Sequence, residues 1–194
     1  MTMGLKRWLT DWGIAATAPE MNVFCLTQMS AHSDLRARLE FHDQPYRSLW
    51  KLEPHSVLEQ HAPCLFQSHP GSALDQWLGG ALDGFPLSIL FTRLDIDGLC
   101  AHLRRFTKFQ DSEGRYVLRL GDPASLLLYL DSISPAPETV AKLFGRKGVE
   151  AFYLHDPKIA LARRVQPLFE QGWDHPGREG YLLWDEPTSG QGAA

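Results

Sequence analysis

The chain has 194 residues, 44% apolar and 22% charged, with a formal net charge of −4. A chain of this size can bury about 70% of its unfolded surface, so a core forms without help from disulfides. The composition excludes a disordered chain, a collagen and a disulfide scaffold, and the acidic balance runs against a nucleic-acid binder.

The apolar runs are far shorter than the ~20 residues a membrane span needs, which predicts no membrane segment. Asp11 interrupts the stretch after Lys6-Arg7, so a secretory signal is not expected. Cys25, Cys64 and Cys100 are widely spaced and form no CxxC pair, which points to a reducing compartment, the cytoplasm.

Leu5, Trp8, Leu9 and Trp12 follow helical spacing, so an amphipathic helix is expected over 5–12 within an N-terminal segment 1–19. A strand is expected at 22–28, a weak helix at 34–42 and a short helix in HSVLEQH, ended by Pro63. CLFQS (64–68) reads as a strand, His69-Pro70-Gly71 as a turn, and 72–82 as a helix capped by Ser72. PLSILFT (86–92) reads as a strand buried on both faces, and 96–105 as a helix. FTKFQ and RYVLRL around DSEG predict a hairpin that makes the sheet mixed. Asp122 and Pro123 open a helix, ASLLLYL, that is apolar nearly all round and expected to be buried. A helix over 135–145 ends at Gly145. EAFYLHDP (150–157) reads as a strand, KIALARRVQP as a helix with Leu161, Val165, Leu168 and Phe169 on its apolar stripe, and YLLW (181–184) as a last strand.

The expected fold is α/β, an α+β-like mixed sheet with flanking helices, plus a small, mostly helical C-terminal lobe. The expected divisions are an α/β lobe over 20–134, a smaller lobe over 135–184 and a tail over 185–194.

No GxGxxG, P-loop, GxSxG or HExxH pattern occurs, and none of the eight histidines forms an HxH or HxxxH pair, so no cofactor or metal is expected. Cys64 follows His61 by three residues, which keeps a small Cys/His hydrolase as the alternative reading. His102, Arg104, Arg105, Lys108, Arg115 and Arg119 crowd one stretch; Arg104 and Arg105 read as part of an ordinary solvated face, with a positive patch for a phosphate or an acidic protein surface as the alternative. Arg119 lies within a predicted strand, and an inward-facing arginine there needs a carboxylate; Asp122 is nearest.

The run YRSLW…HAPCLFQ…PLSILFT…GLCAHLRRF…GRYVLRLGDPASLLLYL resembles the bacterial type VI secretion effector-chaperone, or adaptor, family. The matching positions are Ala62-Pro63-Cys64-Leu65, His102-Leu103-Arg104-Arg105 and Arg119-Leu120-Gly121-Asp122-Pro123, with LFG at 143–145 resembling a later family segment. Gly121 departs from the aromatic that often precedes Asp-Pro in that family. The resemblance implies a non-catalytic cytoplasmic protein of a Gram-negative bacterium that binds a toxic effector, promotes its loading onto the VgrG spike, and contacts neither nucleic acid nor membrane. It singles out Pro63, His102, Leu103, Arg104, Arg119, Asp122 and Pro123 as fold-organising or partner-binding positions. Trp8, Trp12, Tyr153 and Trp173 are further candidate partner contacts.

Overall fold

The computed structural model describes residues 4, 5, 9, 21–53, 56–110, 112–145, 147–168 and 176–186. Its strands are β1 (Asn22–Gln28), β2 (Tyr46–Ser48), β3 (Pro63–Gln67), β4 (Leu87–Thr92), β5 (Lys108–Gln110), β6 (Arg115–Val117), β7 (Ala151–Asp156), β8 (Leu161–Pro167), β9 (Arg178–Glu179) and β10 (Leu182–Asp185). Its helices are α1 (Leu35–Phe41), α2 (Ala73–Ala81), α3 (Ile96–Arg104), α4 (Pro123–Ile133) and α5 (Pro137–Leu143). The fold is α/β. Eight strands form one sheet in the order β2-β3-β1-β4-β7-β8-β10-β9, antiparallel at every pairing among the described residues.

Side chains alternate across a strand, and here both faces of the sheet are covered. Phe24, Leu26, Leu65, Leu90, Phe152 and Val165 face one way, toward Leu99 and Leu103 of α3, Leu126 and Leu130 of α4 and Val140 of α5. Val23, Cys25, Phe66, Ile89, Phe91 and Tyr153 face the other way, toward Leu35 and Leu39 of α1, Leu74 and Leu78 of α2, and Leu5 and Leu9. The central strands are therefore buried at nearly every position. All six residues of β4 and all six of β7 are buried, which is why neither shows a polar–apolar alternation.

Helix starts follow from the local sequence. Ser72, Asp95 and Asp122 each accept a backbone N–H of the first turn, from Asp75, Gly98 and Ala124 respectively.

Several expectations need correction. The segment expected as the helix KIALARRVQP is a one-turn 3₁₀ stretch at Pro157–Ile159, a left-handed Ala160 (φ 53°) and strand β8. Leu161 and Val165 are four apart, a spacing that fits a helix and equally fits one face of a strand. Turning at Asp156–Ala160 lets β8 pair along the whole of β7. The chain beyond 135 is consequently not mostly helical. It contributes α5 and four strands, and β7 pairs with β4, so these strands continue the sheet. The hairpin β5–β6 does not enter that sheet and forms a two-stranded ribbon of its own. Helix α4 is not buried all round, since Leu128 is 70% exposed. The short helix expected around HSVLEQH is a single 3₁₀ turn at Glu59–His61.

Candidate interaction surface

The positions that carry the resemblance gather where α3 ends, the edge strand β2 runs and α4 begins. Pro63 is buried at the start of β3, where its carbonyl accepts the Leu49 N–H at 2.9 Å. Leu103 packs in the core beneath α3. Arg104 is half-buried, and its guanidinium donates to the carbonyls of Ser48 (2.8 Å) and Leu49 (3.3 Å). It is thus a tie between the end of α3 and the edge strand, not a member of a freely solvated basic face. At the other end of α3, Arg47 Nε donates to Asp97 Oδ1 at 2.7 Å, so two ties hold β2 against that helix.

His102 is 3% exposed. Its Nε2 donates to the Leu143 carbonyl at 2.8 Å and its Nδ1 accepts from Arg105, an arrangement that requires the neutral Nε2–H tautomer. Burial lowers its pKa; the Leu143 carbonyl acts the other way and the Arg105 charge lowers it further. Gly148 leaves the room: a Cβ there would lie 2.9 Å from the imidazole. His102 therefore joins α3 to the end of α5 and the turn before β7.

Asp122 is the hub at the start of α4. One carboxylate oxygen accepts the Ala124 N–H at 3.1 Å; the other accepts the Ser125 hydroxyl at 2.9 Å and the Arg119 guanidinium. Burial pushes its carboxyl up, but the bonds from Arg119 and Ser125 outweigh it and hold the group below the usual carboxylate range. The expected Arg119–Asp122 pair forms, though not because Arg119 is buried: its side chain is 63% exposed and lies just beyond β6. Pro123 is buried at the first helical position. Asp122→Ala should cost about 1 kcal/mol through the lost cap, lowering Tm by roughly 2–4 °C in a thermal melt.

The model for a domain of unknown function, DUF4123, matches residues 23–139, more than half of the chain. The chain belongs to the DUF4123 family. No curated protein and no solved structure matches it. The DUF4123 stretch runs from β1 into α5 and takes in Pro63, His102, Leu103, Arg104, Arg119, Asp122 and Pro123. Strands β7 to β10 lie beyond it.

Beside this junction a groove of about 720 Å³ opens between residues 49–52 and the hairpin. Trp50, Leu52 and Val117 supply its apolar walls, and Lys51, Arg104, Lys108 and Arg119 its charge. A second groove of about 580 Å³ lies between the hairpin and α4 and includes Leu118, Leu128 and Tyr129. Val117 and Arg119 border both, and Val117 and Leu128 are 53% and 70% exposed. Lys51 and Leu52 escaped the sequence reading, and Trp50 entered it only as the last residue of YRSLW. The available signal was a tryptophan flanked by leucine and lysine in a loop too short for a helix.

The other candidates fare differently. Tyr153 is fully buried beneath α1 and α2 and offers no surface for a partner, because both faces of β7 are covered. Trp8, Trp12 and Trp173 lie outside the described residues, as do most of the expected 5–12 helix and the end of the tail. Leu5 and Leu9 of that helix are buried against the sheet. Among the described residues, no three His, Cys, Asp or Glu side chains converge as a metal site. Among the described residues, no helix is long and apolar enough to cross a membrane.

Cys64 is 1% exposed, and burial pushes its thiol up, as it does for Cys25 and Cys100. An activated cysteine needs the opposite shift and a route to substrate. His61, its neighbour in sequence, is exposed and contacts Gln60 instead. A native chain should therefore resist a thiol probe at neutral pH, and all three cysteines should label once denaturant is added. Rapid stoichiometric labelling of native Cys64 would restore the hydrolase reading.

Proposed function

We propose that this chain is a non-catalytic chaperone and adaptor that binds a type VI secretion effector and promotes its loading onto the VgrG spike. The observation that carries the reading is the extent of the DUF4123 match. It covers the segments whose residues resemble the adaptor family, including His102-Leu103-Arg104-Arg105 and Arg119 to Pro123. The positions serve the reading structurally: they brace a rigid junction from which an exposed hairpin and two grooves project. Rigid elements that present apolar surface with a charged rim suit protein recognition. On this reading the protein acts in the cytoplasm, before the spike is fired.

The test is genetic and quantitative. Removing the chain from type VI-competent cells should lower the intracellular level or the export of one effector while other effectors are still delivered. Export of every effector at the wild-type level in the deletion strain would refute the proposal.

A further inference from the structure

The groove between residues 49–52 and the hairpin combines two properties. Among the described residues its lining has four cations, Lys51, Arg104, Lys108 and Arg119, and no carboxylate. Its walls carry Trp50, Leu52 and Val117.

The charge is built in by the strands. Lys108 pairs with Val117 across the hairpin, so the two share a face, and Arg115 falls on that face by the period of two, while Arg119 follows just beyond the strand. Arg104 is fixed to the β2 carbonyls and Arg119 to Asp122, whereas Lys51 and Lys108 are exposed. A chain with net charge −4 thus concentrates positive charge around one apolar groove.

We infer that this groove docks an acidic polypeptide segment of a partner protein, one that inserts an apolar side chain between Trp50 and Val117 and sets carboxylates against Lys51 and Lys108. Charge complementarity selects the acidic partner. The apolar walls demand an anchor, and Trp50, Leu52 and Val117 supply the surface for it. The inference deepens the adaptor reading by naming the surface and the chemistry it recognises, and rests on the partner being a protein.

The test is to pan a displayed library of random 12-residue peptides against the folded chain and against the double variant K51E/K108E. Both substitutions fall on exposed side chains, and circular dichroism checks the fold. The expected enrichment is for peptides with several Asp or Glu around a Leu, Phe or Trp. Their synthetic versions should bind at least about tenfold more weakly to K51E/K108E, and more weakly to V117S. No enrichment, enrichment of peptides lacking acidic residues, or equal binding to K51E/K108E would overturn the inference. So would self-association of the chain that K51E/K108E abolishes, since the occupant would then be a second copy. Panning needs no natural partner, so the groove can fail while the effector phenotype of the deletion strain stands, and the reverse.

Discussion

Gly121→Val should be the most damaging single change near the surface of this protein. A Cβ at position 121 would lie 2.7 Å from the Thr27 carbonyl oxygen and 3.0 Å from the Gln28 nitrogen, both backbone atoms at the end of β1. Backbone at the end of a paired strand has little room to retreat, since Thr27 is in register with Cys64 of β3. The start of α4 would have to lift, taking Leu126 and Leu130 from the core. Overpacking costs about 1–3 kcal/mol in typical cores, and more where backbone must move. A loss of about 3 kcal/mol corresponds to a fall in Tm of roughly 6–12 °C for a chain of this length. A Gly121→Val protein melting within about 1 °C of the parent would show that the close approach is absent. No side chain fits at position 121 between the start of α4 and the end of β1.

The second large effect is expected at His102. His102→Ala removes a buried ring, opens a cavity beside Phe106 and Gly148, and takes from the Leu143 carbonyl one of its two donors, leaving the Val149 N–H. Together these should cost about 2–4 kcal/mol. The residue also makes a pH prediction. Its pKa is lowered in the fold, so in acid the unfolded chain takes up the proton first. The stability His102 contributes is complete above about pH 6.5, the unfolded value, and is lost as pH falls toward and through the lower folded value. Melts between pH 7.5 and 5 should show this loss in the parent and a flatter profile in His102→Gln. Identical slopes in the two proteins would mean that His102 is not held neutral by its surroundings.

Legibility in the sequence followed the physics of each signal. Caps carry a local chemical signature, and the starts at Ser72 and Asp122-Pro123 were visible for that reason. The strand at 86–92 was visible because burial on both faces leaves a nearly continuous apolar run. β8 was misread because Leu161 and Val165 are four apart, a distance that strand and helix share; the decisive feature, a left-handed turn at Ala160, has no composition signal. Tyr153 was taken for a surface aromatic because β7 lacks polar alternation to mark an outer face. At the site, the local pair Arg119 and Asp122 was legible three residues apart. The partners of His102 and Arg104, Leu143 and Ser48, are set by how α3 crosses the fold and could not be read from spacing.

Whether the DUF4123 chain binds a secretion partner is decided by purifying the tagged protein from its native cells under secretion-active conditions and identifying what co-elutes by mass spectrometry. A toxin-like effector or a VgrG spike protein in near-stoichiometric amount is the expected result. Recovery of the chain alone, under conditions in which the spike and its effectors are demonstrably assembled, would contradict it.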